Sequence, residues 1–278
     1  MELNPETINN HYSAIAGVGL HAYLFTLCSL DKLDVSYDSH FSLNYEFLKQ
    51  EYPIDADQKN KLRQRQANLL LLQIISGLEV GLIQASMLAR LIEKHNDKPL
   101  SNDEIDNHDK EYLKKSWGEL WKTLENSFLL KDLSEDEDFK KYFTEIKNHA
   151  EKLYKCRHAL MHRGGRVAEQ DMYPKNAESL EISYRKLFLS LQGTETGKSY
   201  NPQKMIANKT SPPEPFIPTT RQETIRAAKQ FKVDDQINFE DQDLICIYST
   251  FYEFTVILQS RITTIITTLN FIQNYCNQ

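Results

Sequence analysis

Along most of the chain, apolar residues recur three and four positions apart, a spacing that gathers them on one face of a helix with 3.6 residues per turn. The pattern predicts helices at about 5 to 33, 58 to 95, 104 to 131, 135 to 163, 219 to 232 and 240 to 276, and therefore an all-α fold. In the second of these, Leu71, Ile75, Leu78, Leu82, Ala89 and Ile92 share a face, and Leu72, Val80 and Ile83 extend apolar character around it. A helix apolar nearly all round belongs at the centre of a bundle. Asn96 to Asn102, with Pro99, breaks the pattern, and Ser134-Glu135-Asp136-Glu137 has the spacing of a capping box that opens a new helix.

From Arg166 to Thr220 the helical period fades. Leu180 to Leu191 reads as a strand or hairpin, followed by Gly193, Gly197, Pro202, Pro212, Pro213, Pro215 and Pro218. The expected organisation is a helical bundle over 1–165, an insertion and proline-rich linker over 166–218, and C-terminal helices over 219–278 packing back on the bundle.

Composition narrows the function classes. With 278 residues, 40% hydrophobic and 26% charged, the chain is an ordinary globular one, long enough for a large core. A formal charge of -6 gives no global attraction to nucleic acid or anionic lipid, so any nucleic-acid contact must be local. Glu2 and Glu6 at the N-terminus do not suit a secretory signal, and a cytoplasmic protein is expected. Cys28, Cys156, Cys246 and Cys276 are widely spaced and read as reduced, mostly buried thiols. Ala14 to Leu30 and Leu244 to Ile272 are apolar enough to suggest membrane spans, but His21 in the first and Glu253, Gln259 and Arg261 in the second favour buried core helices and no membrane.

The helix expected after Ser134 carries the candidate chemistry. At 100° per residue Phe139, Ile146, Leu153 and Leu160 recur every seven residues, Tyr142, Phe143 and Ala150 fill the same stripe, and Arg157 falls at about 0° from Phe139, in its middle. A guanidinium there needs a carboxylate, a cleft or a subunit interface, because it cannot shed its charge. His162 follows five residues later in the last turn, and Gly164-Gly165 suits a helix end. On an ideal helix Arg157 and His162 diverge by about 140°, so they converge only if the helix end unwinds or a second subunit faces the first. His158 lies between them in angle and shares a face with His162.

The segment Arg157-His158-Ala159-Leu160-Met161-His162, closing a long amphipathic helix, resembles the Arg-polar-x-x-x-His motif of the HEPN superfamily. The resemblance covers the motif and the bundle pattern, about half of the chain, and leaves 166 to 220 unaddressed. It implies a HEPN-type helical bundle, to which the pattern over 166–218 adds a small irregular or β-hairpin insertion, a homodimer bringing two motifs into one cleft, and metal-independent endoribonuclease activity of the toxin or antiphage type, with an antitoxin or regulatory protein as a partner. Chemically, a neutral imidazole can take a proton from a ribose 2'-hydroxyl while a guanidinium holds the phosphate as negative charge gathers. His162 is accordingly expected as acid or base, Arg157 as electrostatic stabiliser and His158 as helper, with the two histidines interchangeable, and neither metal nor cofactor is required. Arg163 and Arg166 suit substrate phosphates beside the motif.

Plainer readings stand beside these. Arg157 can pair with Glu79, the one carboxylate inside the apolar stretch 69–92 of the central helix, either as pure structure or as support for a working arginine. The chain would then be a catalytically silent helical scaffold that binds a protein or nucleotide partner. Both histidines also suit a helix C-terminus, where positive charge is favoured. Arg90-Leu91-Ile92-Glu93-Lys94-His95 repeats the spacing, but an apolar residue follows its arginine, and it reads as a chance match. Gly17-Val18-Gly19 lacks the third glycine of a dinucleotide loop. Asp103, Asp106, His108 and Asp109 match no metal-binding spacing, and Trp117 and Trp121, four apart, read as a packing pair.

Overall fold

The computed structural model describes residues 4–32, 56–97, 110–127, 129, 137–193, 199–200 and 218–276. The N-terminal helical run consists of α1 (Glu6–Tyr12), a π-helical turn (Ser13–Gly17) and α2 (Val18–Lys32). Then come α3 (Ala56–Asp97), α4 (Trp117–Asn126), α5 (Glu137–Arg163), strands β1 (Leu180–Gly193), β2 (Ser199–Tyr200) and β3 (Pro218–Phe231), and α6 (Asp241–Cys276).

The protein is mostly helical, with a small antiparallel sheet in the order β2-β1-β3. α3 contacts α1, α2, α4, α5 and α6, because its apolar residues cover more than one face: Leu70, Leu71, Ile74, Ile75, Leu78, Leu82 and Ala85 are buried. Each of these leucines and isoleucines contributes about 1.5–3 kcal/mol on burial. Close approach of α1 to α3 depends on Gly77: a Cβ there would lie 3.2 Å from the Tyr12 carbonyl oxygen and 3.3 Å from the Ala16 Cβ. α6 docks on the same core through Leu244, Ile247, Phe251, Phe254, Leu258 and Ile262, as expected of a core helix. The Ala14 to Leu30 stretch departs from that expectation. Ala16 and Tyr23 are buried, while Val18 and Phe25 are 61% and 76% exposed. The runs Glu6–Leu30 and Ala56–Lys94 are each long and apolar enough to cross a membrane, the second more than half buried within the fold.

Two expectations about the elements are corrected. The helix expected at 219 to 232 is strand β3, paired antiparallel with β1 from Leu180↔Phe231 to Gly193↔Pro218. Arg221, Glu223, Ala227, Ala228 and Lys229 are adequate helix formers, but strand preference depends on the neighbour, and β1 offers a full ladder of backbone partners. The sheet therefore runs across the expected linker boundary, and the C-terminal segment contributes a strand as well as a helix. The second correction concerns 104 to 131, which is not one helix. A turn at Leu113 and Lys114 precedes α4, and Ser116 and Glu119 form a capping box at its start, with the Ser116 N–H donating to Glu119 at 2.7 Å. The Ser134 capping box lies outside the described residues, as do Asp103, Asp106, His108 and Asp109.

β1 anchors the sheet to α5 and α6. Leu180, Ile182 and Tyr184 are buried, the Tyr184 hydroxyl donates to Asp243 at 2.5 Å, and Lys152 meets Glu181 at 3.1 Å. His149 of α5 is 1% exposed, and neither ring nitrogen has a hydrogen-bond partner. Its Nε2 lies 3.7 Å from a Glu145 carboxylate oxygen, beyond hydrogen-bond length. Burial first, and then the cations Arg226, Lys152 and Arg185, push its pKa down to about 4 against the opposing pull of Glu181. Cys156 is also fully buried and its thiol pushed well up, Cys246 is half-buried and Cys28 is exposed, all as free thiols.

Candidate functional site

α5 stays α-helical to Arg163, so the end of the helix does not unwind to bring Arg157 and His162 together. Within one chain the two side chains diverge as ideal geometry requires. Two glycines end the helix, Gly164 at φ 59° and Gly165 at φ 91°, both in the left-handed region. The Gly165 N–H donates to the Ala159 carbonyl at 3.0 Å, and the chain then pairs with the segment after β3, Ile237 donating to Gly165 and Val167 to Asp235. A Cβ on Gly165 would approach Gln236 Nε2 to 2.4 Å. This reversal brings a short 3₁₀ helix, Glu169–Asp171, back against the last turns of α5.

Arg157 is not at the centre of the buried stripe. The buried residues of α5 run from Phe139, Phe143 and Ile146 through Ala150 and Leu153 to Cys156 and Ala159. A seven-residue recurrence on a helix of 3.6 residues per turn drifts by about 20° per heptad, and over three heptads the stripe rotates away from Arg157. The guanidinium therefore sits at the edge of the core with its side chain 34% exposed, at 3.4 Å from the Glu79 carboxylate of α3. It also lies over the Tyr154 ring at 5.4 Å, and Tyr154 in turn stacks on Trp117 with centroids 4.8 Å apart. Trp117 and Trp121 form the packing pair expected, at 6.1 Å. Glu79 is thus Arg157's partner within the same subunit, and the guanidinium keeps an exposed side.

His158 and His162, four residues apart on an exposed face, bring their rings to a centroid separation of 4.8 Å. Nδ1 of His158 lies 3.0 Å from Oδ1 of Asp171, whose side chain is fully buried. The other carboxylate oxygen accepts the Ala168 N–H at 2.9 Å and the Arg163 guanidinium. Burial raises the Asp171 carboxyl, but the Ala168 N–H, the His158 ring and Arg163 together outweigh it and hold the group below the usual carboxylate range. Arg163 is committed to this cluster: its Nε donates to the Arg166 carbonyl at 3.2 Å and its Nη2 lies 3.3 Å from His158 Nδ1. Its contacts in the structure are these internal ones, with the side chain 22% exposed. Arg166 is exposed beside it.

Asp171 is the residue that sequence reading missed. It lies 13 positions from His158, in a segment without helical period, and only the glycine turn brings it back. The second Arg-x4-His match differs from the first: Arg90 pairs with Glu93 of its own helix at 2.8 Å, and the His95 side chain lies outside the described residues. Surface grooves of about 500 and 660 Å3 are lined by Lys141, His149 and Arg226 and by Val256, Ser260 and Thr264 respectively, not by the motif. No cluster of three or more metal-ligating side chains occurs among the described residues. The fold and site define a mostly helical protein with a His-Asp-Arg cluster at the end of a long helix. No family model, curated protein or solved structure matches the chain.

Proposed function

We propose that the protein is a metal-independent endoribonuclease of the HEPN type, a cytoplasmic toxin or antiphage effector acting as a homodimer. The observation that carries the reading is the placing of Arg157, His158 and His162 on the last turns of α5, with Arg157 braced by Glu79 and the two imidazoles adjacent on an exposed face. A braced guanidinium that keeps an open side suits a phosphate gaining charge, and exposed imidazoles suit proton transfer to and from ribose and leaving-group oxygens. In-line attack by the 2'-hydroxyl leaves a 2',3'-cyclic phosphate and a 5'-hydroxyl, and DNA is spared for lack of that hydroxyl. Arg166, exposed beside the motif, remains the candidate for an outer phosphate contact.

The test is incubation of single-stranded RNA with purified protein in EDTA. Wild type is expected to yield cyclic-phosphate ends, and Arg157→Ala and His162→Ala to remain folded and lose cleavage. Expression should slow growth in a manner relieved by His162→Ala, and sedimentation should show a dimer. A second reading, a silent helical scaffold for a protein or nucleotide partner, draws on the Arg157–Glu79 ion pair, which already satisfies the guanidinium within one chain. Identical behaviour of wild type and both variants on RNA selects it.

A further inference from the structure

Arg157 and His162 point apart on a helix that stays wound to Arg163, so a site that combines those two side chains needs a second subunit. The structure offers another pairing that does not need the second subunit. His158 Nδ1 faces Asp171 Oδ1 at 3.0 Å and Arg163 Nη2 at 3.3 Å; Arg163 already donates to the other Asp171 oxygen and to the Arg166 carbonyl, so the shorter contact, to a carboxylate that offers only lone pairs, places the proton of a neutral His158 on Nδ1 and leaves the Nε2 lone pair free. Asp171 is itself fixed by the N–H of Ala168, just before the 3₁₀ helix, and by Arg163, the last residue of α5. The His158 side chain is 45% exposed, which leaves the ring open to a ligand, and the His162 ring stands one helical turn on with its centroid 4.8 Å away.

We infer that His158 and His162 form an acid–base pair complete within one protomer, and that Asp171 is its positioning residue. The inference rests on the ribonuclease reading. In the forward step His158 Nε2 takes the 2'-hydroxyl proton, the 2'-oxygen forms a bond to phosphorus, the bond from phosphorus to the 5'-oxygen breaks, and a protonated His162 gives its proton to that oxygen. One proton is taken up and one released, so no co-reactant is needed. Arg157 remains the charge stabiliser, and dimerisation shapes the RNA path rather than completing the proton relay.

Three measurements on the 278-residue chain test this. Cleavage in EDTA by wild type, His158→Ala, His162→Ala and Asp171→Asn should show Asp171→Asn lowering kcat by about 10- to 1000-fold with KM changed less than about threefold, the pattern of a group acting through a proton-transfer residue. Long-range proton–nitrogen NMR should show His158 protonated at Nδ1 in wild type and that preference lost in Asp171→Asn, which decides the contact even if the variant is unstable. Mixing His158→Ala with His162→Ala protein should restore nothing, whereas a pair drawn from two subunits would return about a quarter of the activity through mixed dimers. Restoration on mixing, full activity in Asp171→Asn, or a proton on Nε2 in wild type each overturns the inference while leaving the ribonuclease reading standing. Absence of cleavage by wild type removes both.

Discussion

Acidification should destabilise this fold through one side chain, His149. The ring is 1% exposed, its nitrogens are unpartnered, and it is held at a pKa of about 4 against 6.5 for a free imidazole. The folded-state value is depressed, so the contribution is fully present above 6.5, where both states are neutral, and is lost as pH falls toward 4, because the unfolded chain binds a proton that the folded chain refuses. Between pH 7.5 and pH 5 that difference amounts to about 2 kcal/mol. The facing groups bias it in the same sense, since Arg226, Lys152 and Arg185 outweigh Glu181. The perturbation is His149→Leu, which cannot titrate. Urea unfolding of both proteins at the two pH values should show wild type losing about 2 kcal/mol more than the variant, whatever other groups contribute to both. Equal losses within about 0.5 kcal/mol, or a His149 resonance titrating near 6.5, would refute the account.

Three further outcomes follow from the packing. Gly77→Ala gains about 1 kcal/mol of helix propensity but pushes against the Tyr12 carbonyl 3.2 Å away, an overpacking cost of about 1–3 kcal/mol, so the melting temperature should fall; an unchanged or higher value would show that α1 can retreat. Tyr184→Phe leaves Asp243 without its 2.5 Å donor and should cost about 1–3 kcal/mol by denaturant titration, with no loss counting against a structural role for that bond. A double-mutant cycle on Arg157→Ala and Glu79→Gln should give a coupling of about 0.5–1 kcal/mol, the size for a partly exposed pair; a coupling near zero would mean that Glu79 does not hold the arginine in place.

The placing of the motif shows where local pattern stops being enough. Residue spacing alone located α3, α5 and α6 to within a few residues, picked α3 as the core helix, and ended α5 at Gly164-Gly165. Those features depend on the 3.6-residue period and on the glycine-specific left-handed backbone, which are properties of neighbours in the chain. It also offered Glu79 as a partner for Arg157, because a guanidinium beside a core needs a carboxylate and the apolar stretch 69–92 of the central helix holds a single one.

Tertiary structure decided the rest. Whether 218–231 is helix or strand turned on β1 lying alongside, since its own residues suit either state. Arg157's place at the edge rather than the centre of the stripe came from the slow rotation of a seven-residue pattern about a 3.6-residue helix, which an angle measured from one end overlooks. The Asp171–His158–Arg163 cluster had no local signal, because a carboxylate 13 residues away becomes a neighbour only when a glycine turn, pinned by pairing with residues 234–237, folds the chain back on its own helix. The sequence thus determined the long helices α3, α5 and α6 and where the arginine and histidines fall along α5, and the fold decided the state of 218–231 and which charges the motif meets.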